Sequence, residues 1–380
     1  MSVNPENHTE ESNAESNSIQ LIRGFEKIAA GEVIERPVSV VKELVENSID
    51  AGANRITVSV KNGGKDLIEV TDNGKGIPES EVEVAFQRHT SSKIRSAEEL
   101  ENLRTLGFRG EALSSVSAVS QMKIVTRPKT QEYAAEFSIE GGSKGETKRS
   151  GGPVGTQIRV KNLFYNLPVR KKFMKSTKVE LGHISDLVSR YSLAYPRIHF
   201  KLEHNGLSLI NSPAWIAAKS SKQKVDEANV PIKAYKHSIQ TVYGKETAEK
   251  MFPIDYHGEH IHIYGYMGYP SVARSRKSAA STFVNNRLIK HKGLSNLIAS
   301  AYRDYLMRNK YPLYVVFIDI PPERVDCNIH PSKKVVKFLD EEDFLVELEI
   351  ILNQLIKQHF KEKERTDNER KMKKRGKTFK

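Results

Sequence analysis

Residues 37 to 51 can do little other than form an amphipathic helix with two occupied faces. Val41, Leu44, Val45 and Ile49 recur at i, i+3, i+4 and i+8, the spacing of a stripe buried against a core. Glu43, Glu46, Asn47 and Asp50 recur at i, i+3, i+4 and i+7 on another side. Pro37 suits a first turn, where a missing N–H leaves no bond unmade, and Gly52 suits the position past the last turn. An acidic stripe of this kind is ordinarily a solvated face. Its neighbours in the chain argue otherwise.

The helix is followed by an alternating strand (Ile56, Val58, Val60), an Asn-Gly-Gly turn and a second strand (Ile68, Val70) that ends on Asp72. Asp72-Asn73-Gly74-Lys75-Gly76-Ile77 then places a carboxylate at a strand end, ahead of two glycines that let a backbone approach a planar ligand. Such a carboxylate can accept from an exocyclic amino group, as acids do from base N–H groups; a tight turn accounts for the same residues. From residue 73 to about 115 the chain is rich in Gly, Ser, Thr and Arg, which reads as a long functional connection. Within it, Thr90-Ser91-Ser92-Lys93 supplies hydroxyls and an ammonium. Gly107 and Gly110 bracket Phe108 and Arg109 just before a helix start at Glu111, Ala112 and Leu113, whose free N–H groups can hold phosphate oxygens. Gly155-Thr156 opens a later strand that can return to the same ligand. Neither GxxxxGK[ST] nor a GxGxxG after a strand occurs.

Further strands are expected at 121–127, 132–139 and 155–163, with a helix near 178–193. A stretch of weak periodicity, 218–255, separates this part from a second set of strands (HIHIYGYMGYP, STFVNNRLIK, YPLYVVFIDI) and two helices, GLSNLIASAYRDYL and EEDFLVELEIILNQLIKQHF. The order predicts an α+β protein, two α/β sandwiches in series: residues 1–18 a disordered leader, 19–218 and 219–360 the two folded units, 361–380 a disordered basic tail. That tail holds ten Lys or Arg against four acids, a large share of the net charge of +13, and a basic balance favours polyanionic partners. No apolar run reaches membrane-spanning length, and the leader lacks both the basic and the apolar blocks of a targeting peptide. The single cysteine, Cys327, excludes an intramolecular disulfide and a cysteine-rich zinc site; it suits a reducing compartment and the role of a small packed side chain.

A helix with Glu and Asn four apart, a strand-end DxGxG, a glycine-rich lid and a later Gly-Thr, in that order, resemble the Bergerat-fold (GHKL) ATPases: gyrase B, the large heat-shock chaperones, histidine kinases and MutL. The wording is narrower still. IAAGEVIERPVSVVKELVENSIDAGA, DNGKGI, RHTSSKI, LGFRGEALSSVSAVS, GTQIRVKNLFYNLPVRKKF, FVNNR and VDCNIHPSKKVVKF look like the MutL family of DNA mismatch repair proteins, over residues 21 to about 360.

The resemblance implies ATP and Mg2+ as cofactors. By it, Glu43 activates the attacking water and Asn47 ligates the magnesium ion, so the polar stripe faces the nucleotide. Asp72 binds adenine with help from Thr156, and Gly74 and Gly76 shape the pocket floor. Ser91, Ser92 and Lys93, with Gly107, Phe108, Arg109, Gly110, Glu111, Ala112 and Leu113, form a lid over the phosphates. Lys333, in His330-Pro331-Ser332-Lys333, reaches the terminal phosphate from a βαβ-type transducer domain. Arg287, in FVNNR where the family usually has VNGR, contributes to DNA binding, beside the basic Arg170, Lys171 and Lys172. The implied protein is an ATP-dependent mismatch-repair matchmaker, cytoplasmic in a prokaryote and nuclear in a eukaryote. Its modules pair on binding ATP with a second copy or a paralogue, clamp DNA without sequence preference, meet a mismatch-recognition MutS-type protein and reset by slow hydrolysis. No D-Q-H-A-x-x-E stretch is present, so no endonuclease activity is expected. Two rivals share parts of this pattern: the ATPase module of a type II topoisomerase, which lacks the GFRGEALSSVSAVS wording, and a scaffold paralogue that binds nucleotide without turnover.

Overall fold

The computed structural model describes residues 33–88, 90, 106–107, 110–216, 230–326 and 336–377. The expected helix is α1 (Pro37–Asp50), with the proline in its first turn and Gly52 at φ 72 just beyond its end. Its apolar stripe is sunk to the backbone, with Val40, Val41 and Val45 fully buried and Leu44 nearly so. Burial at this depth contributes roughly 1.5–3 kcal/mol per side chain, which fixes the rotation of the helix and so decides where the polar stripe points.

α1 lies on a large sheet built from β1 (Arg55–Lys61), β2 (Leu67–Asp72), β3 (Gln121–Arg127), β4 (Ala134–Glu140), β5 (Ser143–Lys144), β6 (Lys148–Ser150), β7 (Gly155–Lys161), β8 (His199–His204) and β9 (Leu207–Ser212). The order is β5-β4-β3-β7-β2-β1-β8-β9, with β6 also on β4. Every pairing is antiparallel except β1 with β8. Alternate strand residues (Ile56, Val58, Val60; Ile68, Val70; Met122, Ile124) enter one core with α1, with α3 (Ala112–Ala118) and with α5 (Thr177–Ala194). Two short helices, α2 (Glu79–Val82) and α4 (Pro168–Phe173), lie between these elements in the chain. The predicted β1–β2 hairpin turns through Asn62, Gly63 and Gly64, all three at positive φ.

The stretch 218–255 holds more structure than its weak periodicity suggests. α6 (Ile232–Tyr243) and α7 (Lys245–Glu249) fall in it, and Tyr235 and Ile239 are buried. Only a narrow stripe of the helix is apolar, too thin to stand out in the sequence.

The second sheet runs β10-β11-β14-β12-β13, made of β10 (Met251–His257), β11 (His262–Gly268), β12 (Ser281–Val284), β13 (Arg287–Ile289) and β14 (Tyr314–Asp319). β12 and β14 are parallel, joined through α8 (Lys292–Ala301), the expected βαβ arrangement. A small pair, β15 (Val325–Asp326) and β16 (Lys337–Phe338), precedes α9 (Glu341–Lys377).

Two expectations require correction. The tail from 361 onward is not irregular: α9 continues as helix to Lys377. Lys, Glu and Arg are strong helix formers, Gln358 donates to Glu362 one turn on, and Lys363 covers the Tyr269 ring at 3.6 Å. Nor does the first unit end cleanly. Leu193 and Ala194, the last turn of α5, belong to a core with Tyr235, Met251, Val315 and Phe317 of the second. Arg190, 9 % exposed, donates to the Ala280 and Ser278 carbonyls and to Ser281 Oγ. One helix is therefore shared by both sheets.

Candidate nucleotide site

The polar stripe of α1 does not act as one unit. Glu46 is buried: Tyr191 Oη donates to its Oε1 at 2.8 Å, and Lys42 Nζ stands 3.1 Å from Oε2. Lys42 also reaches Glu43 Oε1 at 3.0 Å. Burial pulls the Lys42 ammonium down, but the Glu46 and Glu43 carboxylates together hold it above the ordinary lysine range. Lys42 therefore stays charged and fixes Glu43 beside it. Sequence reasoning missed this lysine, although its place next to the proposed base is a usable signal. Glu43 and Asn47 remain partly exposed.

Asp50 closes the stripe differently. Its two carboxylate oxygens accept from the Leu106 and Gly107 N–H groups at 3.0 and 3.1 Å. The lid is thus tied to the end of the helix carrying Glu43 and Asn47. Gly110, at φ 63, lies so close to the Thr90 carbonyl that a Cβ would collide with it. This brings residues 90 and 110 together, with Glu111 at the N-cap and Ala112 and Leu113 opening α3. Ser91, Ser92, Lys93, Phe108, Arg109 and Lys333 lie outside the described residues, as does Cys327.

At the other end of the cluster, Asp72 Oδ1 accepts from the Gly74 N–H and Oδ2 from Ser48 Oγ, both at 2.8 Å. Ser48 follows Asn47 on α1, so the β2 carboxylate and the helix meet directly. Thr156 pairs with Asp72 across β2 and β7, and its hydroxyl is 3.0 Å from that of Thr126, which in turn accepts from the Ile77 N–H. Burial pushes the Asp72 carboxyl above the usual aspartate range, against hydrogen bonds from Gly74, Ser48 and Thr156 that favour the ionised form. Gly74 packs on Ala51, and Gly76 takes φ 71 against the Arg127 carbonyl, leaving no room for a Cβ. The second glycine is required by contact between protein backbones, whereas the sequence reading attributes it to ligand approach.

Glu43, Asn47, Asp72, Gly74, Gly76 and Thr156 thus assemble from α1, β2 and β7, with Gly107 and Gly110 at the rim. The expected DNA-binding residues divide. Lys171 and Lys172 on α4 are exposed; Arg170 is half-buried and donates to the Ile34 carbonyl at 3.0 Å. Arg287 is 8 % exposed, with Nη1 3.4 Å from the Leu106 carbonyl. Its guanidinium is thus turned inward against Leu106. The exposed cations of its hairpin and the following turn are Lys290 and Lys292. In FVNNR the turn forms without glycine: Asn285 and Asn286 take φ 46 and 64, a region that asparagine tolerates.

Comparison with known proteins agrees with this geometry. Residues 35–160 match the family of histidine kinase-, DNA gyrase B- and HSP90-like ATPases, and residues 239–357 match the DNA mismatch repair protein C-terminal domain. DNA mismatch repair protein MutL of Clostridium acetobutylicum is 42% identical over 317 residues, 83% of this chain and 48% of that protein. MutL of Halothermothrix orenii is 42% identical over 312 residues, 82% and 46% of the two chains. The chain spans about half the length of the curated relatives it matches. Among solved structures, the Aquifex aeolicus MutL ATPase domain complexed with ADP is 28% identical, covering 76% of this chain and 93% of that one at a TM-score of 0.54. The N-terminal domain of a DNA repair protein, 24% identical, matches in fold over 88% of this chain at a TM-score of 0.72.

Proposed function

We propose that this chain, which belongs to the MutL family of DNA mismatch repair proteins, binds ATP against the polar face of α1 and hydrolyses it slowly, as the switch of a mismatch-repair matchmaker. The observation that carries the reading is the meeting of Asp72 with Ser48, one residue beyond Asn47, at 2.8 Å. It sets an acceptor for an exocyclic amine beside a helix that offers an amide and a carboxylate one turn apart.

The roles follow from the chemistry of each group. Asp72 accepts from the adenine amino group, and Thr156, its register partner, completes that edge. Glu43, oriented by Lys42, accepts the proton of an attacking water. Asn47 fits a magnesium ion, because an amide oxygen is a hard, neutral donor on the half-exposed part of the helix. Such an ion, when bound, offsets charge on the triphosphate. The lid joins through Asp50, so contact between lid and phosphates is transmitted to the helix bearing the base. In this reading the second unit (219–360) is a transducer whose Lys333 senses the terminal phosphate. Two modules pair around DNA, which Lys171, Lys172, Lys290 and Lys292 touch through phosphates, and the assembly answers to a MutS-type protein.

Steady-state phosphate release tests the proposal. Turnover is expected for the unmodified chain with ATP and Mg2+, and Glu43→Ala should retain nucleotide binding while losing about 10²–10⁴ in rate. Binding without turnover in the unmodified chain would favour a scaffold instead.

A further inference from the structure

Outside the nucleotide site, one end of the second sheet brings together three metal-ligating groups that the proposed function does not use. Asp255 and His257 stand two apart on β10 and so share a face, and His257 pairs in register with His262 of β11. Both imidazole Nε2 atoms converge on a single oxygen, Asp255 Oδ1, at 3.3 Å from His257 and 2.8 Å from His262. One ligand atom from each of the three lies within 4.8 Å of the others. Donors about 2.0–2.1 Å from a tetrahedral ion lie roughly 3.3 Å from one another, a spacing that the two histidine–Asp255 distances of 3.3 and 2.8 Å already approach.

The geometry points to a site for a borderline divalent transition ion, with zinc as the reference case, held by Asp255, His257 and His262 at the turn end of the β10–β11 hairpin. Two imidazoles and one carboxylate favour zinc, nickel or copper over magnesium or calcium, which prefer all-oxygen shells. The scaffold is stiff where it needs to be. His262 stacks on Tyr264 at 4.6 Å, Tyr264 on Phe317 at 5.0 Å, and Phe317 on Phe283 at 4.8 Å, so the ligand plane rests on an aromatic ladder rooted in the core. Asp319 stands across from His262 on β14, in register with it. Three protein ligands leave a coordination position for water or for a side chain from outside. β10 is an edge strand, and a clip of this kind would fasten it to β11 beside their turn.

The test is zinc titration of the full chain, with any affinity tag removed and magnesium in excess so that oxygen sites are already filled. One equivalent of zinc should bind with micromolar or tighter affinity by calorimetry and native mass spectrometry. Cobalt at the same stoichiometry should give d–d absorption in the visible. His257→Gln and His262→Gln should each weaken binding about tenfold or more, and the double variant should lose both the equivalent and the spectrum. Because His257 is exposed, circular dichroism and basal ATPase activity of His257→Gln should match the unmodified chain. Absence of stoichiometric binding overturns the site, as does an equivalent retained by the double variant.

Discussion

The polar stripe of α1, with Ser48 beside it, divides its labour. Glu46 is consumed by Lys42 and Tyr191, Asp50 by two lid N–H groups, and Ser48 by Asp72. Glu43 and Asn47 are partly exposed, with Lys42 on Glu43. Asp72 gives the sharpest prediction at this scale. Burial raises its pKa, so the charged form costs folding stability that is recovered as pH falls through the raised value. Adenine recognition has the opposite sign, because it needs the unprotonated acceptor. ATP affinity should therefore weaken on acidification at a higher pH than an ordinary aspartate would dictate. Asp72→Asn should melt at the same temperature or above at neutral pH, since Ser48 Oγ can turn toward the Leu44 carbonyl 3.1 Å away, while ATP affinity falls about tenfold or more. Equilibrium binding beside thermal denaturation checks both halves; an unchanged affinity would remove Asp72 from the site.

Among elements, the contact between α1 and the lid is the informative one. Asp50→Asn keeps the shape but replaces one of the two acceptors that hold Leu106 and Gly107, and charge-assisted bonds of this type are worth about 1.5–3 kcal/mol each. On the proposed reading, in which the lid meets phosphates and not the base, ATP turnover should drop more than adenosine affinity. Parallel titrations with ATP and adenosine distinguish this from general loss of the pocket, in which both would fall together. Asn286→Gly, at φ 64, should be neutral or slightly stabilising in thermal denaturation, since glycine accepts that conformation without strain.

For the molecule as a whole, α5 carries the connection between sheets. Arg190 is nearly buried and saturated by Ser278, Ala280 and Ser281, whereas its partner Asp186 is mostly exposed and contributes little. Arg190→Ala strands acceptors at the junction and should cost about 3 kcal/mol or more, seen as an unfolding transition that broadens or splits in two. A single sharp transition at the original temperature would mean that the sheets do not depend on this helix. Pairing belongs to the same scale. With a non-hydrolysable ATP analogue the chain should elute as a larger species on size exclusion, and Asn47→Ala should abolish the shift.

Much of this was legible in one dimension because it rests on local periodicity and turn chemistry. The bounds of α1, β3 and α5, the Asn-Gly-Gly turn and the Asp72 loop all follow from spacing and from residues whose backbone preferences leave few alternatives. The resemblance to the MutL family, carried by the order of these motifs, is what implied one site for Glu43, Asn47, Asp72 and Thr156. What the linear text did not reveal is which partner each polar side chain takes. Lys42 is adjacent to Glu43 in sequence, yet its clamp on two carboxylates depends on burial against α5. Arg287 reads as a surface cation until the fold seals it behind Leu106, and the sharing of α5 between two cores depends on how the sheets pack. Residue type and spacing determine elements and candidate chemistry. Burial and partner choice are properties of contacts between residues far apart in the chain, and only tertiary structure decides them.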